Sequence, residues 1–276
     1  MPPQSPADQR QIFSRPGLGL SSAIVQKREL RFTRLTIDQP TLIVVRRGTK
    51  ILQSAGRQWQ VPAGHMLAIA GGQSFDVTNR PSATGDYRAH CLVWDQAFLA
   101  EQNAIGADLP ILADACVAGP MPAEFLAAFE RAVAAIDDAD HIPDPVARHR
   151  GAEILLWLAQ HRIRLSACAC IPLALRVRRL ISAAADAAWT TKDLAVRLGL
   201  SEATLRRRLA ETGTSPSEIM VNTRMEMALS LLQSTDFAIN RIALEVGYDS
   251  PSRFAIRFRQ RFGFAPSAVR GHRRAG

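Results

Sequence analysis

No stretch of these 276 residues stays apolar long enough to cross a bilayer as a helix. Cysteine is scarce: there are four, Cys91, Cys116, Cys168 and Cys170. Their spacings match no common zinc pattern, and Cys168-Ala-Cys170 is too tight for a usual paired site. They read as reduced thiols of a cytoplasmic protein. Histidine offers no His-x-His pair. His65 and His90 stand apart, so the clustered ligands of a metal site are missing, and His65 reads as a turn or pocket residue. No nucleophile–base constellation is recognisable. The expectation is therefore a non-enzyme with no metal and no cofactor. The opening MPPQSPADQR lacks the apolar core of a signal segment and reads as a disordered tail over residues 1–10.

What is present is positive charge in one place. The chain carries a net charge of +9. From Ile171 to Gly276 there are 17 Lys+Arg against 9 Asp+Glu, and the first 170 residues hold 17 against 16. A near-neutral part joined to a basic part implies that only the second meets a polyanion.

The basic part contains an internal repeat. Ala195-Val-Arg-Leu-Gly199-Leu-Ser201 is followed by Leu205 and Leu209. Ala243-Leu-Glu-Val-Gly247-Tyr-Asp-Ser250 is followed by Phe254 and Phe258. Each copy closes on a glycine three residues before a proline, Gly213 and Pro216, then Gly263 and Pro266. Such self-similarity speaks to architecture. The unit is a helix, a glycine turn and a second helix, the helix-turn-helix pattern that lays its second helix in the DNA major groove. Seven helices are predicted from Leu173 onward. Pro216 opens a long one to about Gln233, and Asp236 is expected to cap one over Ala238 to Val246.

Geometry then assigns faces. In the first unit Leu205 and Leu209 point inward, leaving Glu202, Ala203, Arg206 and Arg207 outward beside the cap Ser201. Arg206 or Arg207 can bridge guanine O6 and N7. In the second unit Phe254 and Phe258 anchor the core. The outward set is Pro251, Ser252, Ala255, Ile256 and Arg259, beside the cap Ser250. Arg253, Arg257, Arg261, Arg270, Arg273 and Arg274 surround it as phosphate neutralisers. The first unit should thus discriminate bases, and the second supply affinity and apolar contact.

The first half has another texture. Short apolar runs such as Thr41-Leu-Ile-Val-Val45 and His65-Met-Leu-Ala-Ile-Ala70, punctuated by glycine and proline, suggest a β-sandwich or barrel over residues 11–118. Residues 119–165 read as two helices packed antiparallel. Their apolar stripes, with Phe125 and Phe129 on one and Ile154, Leu155 and Leu158 on the other, serve either as core or as a homodimer seam. Residues 166–172 form the expected linker to a domain over 173–276. Arg28, Arg31, Arg34, Arg46 and Arg47 favour an anionic effector or are simply solvated strand faces.

Trp189-Thr190, Asp193-Leu-Ala195, Gly199-Leu-Ser201, Leu205-x-Arg207, Gly213-x-x-Pro216, Arg224, Ala228 to Leu232, Ile239, Ile242-Ala243, Val246-Gly247-Tyr248, Ser250-x-Ser252-x-Phe254, Phe258, Phe262-Gly263-x-x-Pro266 and Arg270 together resemble the DNA-binding domain of the AraC/XylS family of bacterial transcription regulators. The first half resembles, through Val61-Pro-Ala-Gly-His65, the cupin-like sensing domain of that family. The resemblance implies a multidomain α+β protein and two units reading successive major-groove faces of double-stranded DNA. It also implies an activator that meets RNA polymerase and answers to a small-molecule effector or a protein antagonist. One departure stands out. The family carries Arg two residues after the aromatic at Phe254, and this chain carries Ile256. A cupin-type enzyme with a DNA-binding appendage, and a nucleoid protein without sequence preference, are the rival readings.

Overall fold

The computed structural model describes residues 12–54, 56–83, 85–167 and 172–270. The tail over 1–10, Cys168, Cys170, Arg273 and Arg274 lie outside them. The chain divides into two compact units, Met1–Ala169 and Cys170–Gly276.

The first unit is two antiparallel sheets and three helices. One sheet has the order β1 (Ile12–Arg15), β2 (Gly19–Gln26), β9 (Tyr87–Trp94), β4 (Thr41–Arg47), β7 (Met66–Ile69) and β10 (Ala115–Ala118). The other has the order β3 (Leu30–Ile37), β8 (Gln73–Arg80), β5 (Thr49–Ser54) and β6 (Arg57–Pro62). The unbroken apolar runs of β4 and β7 follow from burial on both faces, because alternate residues leave a strand on opposite sides. Ile43, Val45, Leu67 and Ile69 meet Leu52, Val61, Phe75 and Val77 of the four-stranded sheet. Leu42, Val44, Met66 and Ala68 face the other way, toward the helices.

Those helices are α1 (Gln96–Glu101), α2 (Ala123–Asp137) and α3 (Asp144–Gln160). Phe125, Ala128, Phe129, Ala132 and Ile136 of α2 and Ala147, Ile154, Leu155 and Leu158 of α3 recur every three or four residues and are buried. They share one core with the back of the six-stranded sheet. The apolar stripes of the helix pair are therefore core of the first unit. A Cβ on Gly151 would stand 2.9 Å from Leu18 Cδ1 and 3.1 Å from Phe98 Cζ, so a larger residue on α3 would have to displace those side chains.

A polar cluster interrupts the interior of the β domain, with Gln26, Lys50 and Asn79 all buried. Lys50 is buried on β5 and donates to Asn79 Oδ1 at 2.7 Å, with its ammonium 5.5 Å from the Tyr87 ring centre. Burial pushes its pKa down to about 8. Burial also pushes the neighbouring Cys91 thiol up to about 11. Among the described residues no three metal-ligating side chains cluster, and no helix is long and apolar enough to cross a membrane.

The second unit consists of α4 (Leu173–Ala183), α5 (Thr191–Arg197), α6 (Glu202–Ala210), α7 (Pro216–Ser234), α8 (Ile239–Glu245), α9 (Pro251–Phe262) and α10 (Pro266–Arg270). Thr190 caps α5 through a reciprocal pair with Asp193, and Ser215 with Pro216 starts α7. The expected cap at Asp236 is corrected: α8 begins after Ala238, which makes no side-chain cap bond.

Lys50 makes stability depend on pH. Its folded pKa lies below its unfolded value, so between the two the unfolded chain holds the extra proton and stability rises with pH. From pH 8 to 9 the wild type should gain about 1 kcal/mol relative to Lys50→Met, a comparison in which the opposing titration of Cys91 is common to both chains. Denaturant titrations of both full-length chains at the two pH values measure the difference.

Candidate nucleic-acid interface

Each half of the repeat builds the same turn from the same bonds. After α5, Leu200 N–H donates to Ala195 O at 2.9 Å and Gly199 N–H to Val196 O at 3.1 Å. After α8, Tyr248 N–H donates to Ala243 O at 2.9 Å and Gly247 N–H to Leu244 O at 2.9 Å. This is the Schellman closure, which needs a left-handed residue at the glycine position. Gly199 and Gly247 have φ of 67° and 76°. At Gly199 the requirement is conformational alone, since an added Cβ would touch nothing. At Gly247 it is also steric, because a Cβ would stand 2.6 Å from Ala185 O.

Two residues beyond Gly199, and three beyond Gly247, a serine starts the outer helix. Ser201 Oγ accepts from Thr204 N–H at 3.1 Å, and Ser250 Oγ accepts from Arg253 N–H at 3.4 Å. Each cap satisfies a backbone donor that would otherwise lack a helical partner. The outer helices then turn their anchors inward. Leu205 and Leu209 join Val177, Ile181, Leu194, Ala195 and Ile219 in one buried cluster. Phe254, Phe258 and Phe262 form a ladder with centroid spacings of 5.8 and 4.7 Å, and Tyr248 lies 6.0 Å from Phe254.

With the anchors fixed, the opposite faces are open. On α6, Ala203, Arg206 and Arg207 are exposed and Glu202 is half-buried. Arg206 pairs with Glu202 at 3.4 Å and Arg207 with Glu211 at 3.0 Å, each one helical turn away. Such solvent-exposed pairs are worth only about 0.3–0.5 kcal/mol, so a polyanion can displace them at small cost. On α9, Pro251, Ser252, Arg253, Ile256 and Arg259 are exposed and Ala255 is half-buried. Ile256 leaves 58% of its surface open in the position where the resemblance expects an arginine. Beside α9 runs a groove of about 600 Å³ lined by Arg224, Tyr248, Asp249, Arg253, Arg257 and Gln260 among others.

Two arginines expected at phosphates are corrected. Arg270 is 6% exposed. Its guanidinium donates to Leu232 O at 3.3 Å, to Thr235 O at 2.8 Å and to Phe237 O. These are carbonyls at and just beyond the end of α7, where helical partners run out. Arg270 thus ties α10 to the C-terminus of α7 and is turned away from solvent. The Arg261 side chain is only 9% exposed and pairs with Glu226 at 3.1 Å. A one-turn stripe of arginines on a basic helix reads alike whether its members face water or a carboxylate, so the sequence carried no sign of this. Arg253, Arg257 and Arg259 remain exposed.

The side-chain partners of Trp189, Tyr248 and Asp193 also emerge only from the structure. Trp189 Nε1–H donates to Ala184 O at 2.7 Å and stacks under the Arg197 guanidinium at 5.2 Å. Burial raises the Tyr248 phenol pKa, opposed by the nearby Arg224 and Arg257 charges. Hydrogen bonding from Thr190 lowers the Asp193 carboxyl, which fits its place in the cap.

A three-helix support with a capped, arginine-bearing outer helix, made twice within one unit, defines the class: a double helix-turn-helix domain joined to a two-sheet β domain. A helix-turn-helix family model, HTH_18, matches residues 194–272. Over 94 residues the chain is 33% identical to the HTH-type transcriptional regulator YdeO of Escherichia coli strain K12, covering 34% of this chain and 37% of that one. Over 79 residues it is 37% identical to the HTH-type transcriptional regulator GadX of Escherichia coli O6:H1, covering 29% of each. The chain thus spans about a third of the length of the curated relatives it matches. The fold as a whole is similar to unsaturated fatty acid-bound ToxT from Vibrio cholerae, with a TM-score of 0.63 at 14% identity over 91% of this chain and 94% of that one. A point variant of apo ToxT from the same organism gives 0.64 at 15% identity over 92% and 97%. The C-terminal unit thus carries, over residues 194–272, a helix-turn-helix domain of the AraC type.

Arg270→Ala should destabilise the second unit by about 3 kcal/mol, since several buried carbonyls lose their donor. Its ratio of affinities for cognate and random duplex should stay unchanged below the melting transition. Calorimetry and paired binding titrations measure the two quantities.

Proposed function

We propose that this chain is a sequence-specific transcription regulator whose two outer helices, α6 and α9, enter successive major-groove faces of one DNA duplex. The observation that carries the reading is the pair of identically closed turns, each presenting a capped helix with a buried apolar back and an open front. A helix start held this way offers side chains to base edges and backbone N–H groups to phosphate. Ser201 and Ser250 set the helix starts. Glu202, Ala203, Arg206 and Arg207 read bases from α6. Pro251, Ser252, Ala255, Ile256 and Arg259 make the apolar and weaker polar contacts from α9, and Arg253 neutralises phosphate.

The proposed direction of control is activation, with RNA polymerase as the protein partner and the bacterial cytoplasm as the compartment. Control enters through the N-terminal unit, by an effector or a protein. The likeness of the whole fold to a ToxT structure holding an unsaturated fatty acid supports a small-molecule effector. The outward arginines of the four-stranded sheet add a second reason. Arg31, Arg34 and Arg57 line a groove of about 490 Å³ with Gln53, Gln58 and Asp76. Arg46 is committed elsewhere, to Glu130 of α2, and Arg47 pairs with Asp86 at 3.0 Å. A ligand on either unit acts only through a difference in affinity between two states of the protein. Assembly into a homodimer is part of the proposal, on surfaces other than the buried stripes of α2 and α3.

Arg207→Ala decides the base-reading role. It should weaken binding to a duplex selected from a random pool by about 1–3 kcal/mol and relax preference at one position. Equal losses on selected and random duplexes, read by fluorescence anisotropy, would remove Arg207 from base recognition. A thermal-shift panel of carboxylates and other anions against the full chain tests the effector. No shift, together with a protein that co-purifies in stoichiometric amount, favours control by a protein antagonist.

A further inference from the structure

Each helix-turn-helix unit buries its own apolar core, yet α7 carries two polar side chains that join the units to each other. Arg224 donates from Nη2 to Ala187 O at 2.7 Å and from Nη1 to Gly247 O at 3.3 Å. The first carbonyl lies in the loop leading into α5. The second lies in the turn that aims α9. Two residues on, Glu226 takes Arg178 of α4 on Oε2 at 2.7 Å and Arg261 of α9 on Oε1 at 3.1 Å. All three side chains of this Arg–Glu–Arg group are about nine-tenths buried.

Residues two apart stand roughly 200° apart around a helix, so the two bridges lie on opposite sides of α7. Each spans from the first helix-turn-helix to the second. The contact at Gly247 closes the gap further, since its α-carbon lies against Ala185 O with no room for a methyl group. A single bridge would leave a hinge about α7. Two on opposite sides resist both twist and tilt.

We infer that Arg224 and Glu226 are positioning residues that lock the two reading heads into one rigid body, so that the protein accepts only duplexes whose two half-sites have one fixed spacing and phase. The lock follows from protein contacts alone; its consequence for spacing rests on the DNA-binding reading. It explains why two arginines and a carboxylate are kept in the interior of a small basic domain, where apolar residues of the same volume would pack as well. It also means that a displacement of α4 is passed to both heads at once, since Arg178 sits on α4.

The test has two arms on the full chain. Spin labels are introduced as non-canonical residues at Ala210 and Asn240, both exposed and one in each head. Pulsed electron resonance then gives the distance distribution without DNA. The wild type should show one narrow peak, and Arg224→Gln/Glu226→Gln a broadened one with helix content retained. In the second arm, a duplex selected from a random pool is lengthened by one base pair between its half-sites. The wild type should lose about 100-fold in affinity, as expected when one head loses its specific contacts, and the double variant less than about 10-fold. An unchanged distribution in the variant overturns the lock, and so does a wild type that binds the lengthened duplex as well as the original. If the double variant fails to fold, Glu226→Gln alone keeps the shape and one acceptor while removing the charge, and the same two measurements apply. If no duplex is selected, the DNA-binding reading fails, and the distance arm still decides the lock.

Discussion

The second unit depends on a backbone reversal that only glycine enters without strain. At Gly199 and Gly247 the chain passes through the left-handed region, and two hydrogen bonds back to the preceding helix close the turn. That closure fixes the angle at which the outer helix departs. The angle determines which residues of the outer helix face the support. Leu205 and Leu209 in one copy, and Phe254 and Phe258 in the other, fall inside, and the remaining surface is open by elimination. The same small set of local bonds therefore sets both the core and the candidate interface.

The two copies then diverge where packing differs. The first ends on Gly213, with Thr214 N–H reaching Leu209 O at 3.1 Å in another Schellman closure. The second runs a turn longer, to Phe262, and ends on Gly263 with one bond to Arg259 O at 2.7 Å. The extra turn places Phe262 on the aromatic ladder and Arg261 against Glu226. The first head is an aliphatic core under an arginine-rich face. The second is an aromatic core under a face broken by Ile256. Unlike surfaces on like frames suit a task in which one head discriminates and the other adds affinity.

The N-terminal unit shows the opposite economy, with little local repetition and much long-range pairing. Its central strands are buried on both faces, by the second sheet and by the helix pair. That double burial explains why β4 and β7 read as continuous apolar runs rather than alternating ones. It also consumes the stripes of α2 and α3, so a partner surface on this unit has to be sought elsewhere.

Most of the second unit was legible in sequence because its signals are short-range. A cap, a left-handed glycine and an inward anchor four residues on involve neighbours a turn or two apart. Ser201, Ser250, the two turns and the outward set on α6 could all be placed this way. Where several arginines crowd one stretch, spacing alone did not sort them. Arg270 finds its carbonyls 33 to 38 residues away, Arg261 meets Glu226 at 35, and Arg178 meets it at 48. Asp236 misled for a related reason, since a capping residue matters only if the helix begins beside it, and α8 begins after Ala238. The repeated frame follows from residue type, because its hydrogen bonds run between near neighbours. Which arginines face water and which hold the two heads together follows instead from packing, because that brings particular distant carbonyls and carboxylates within reach.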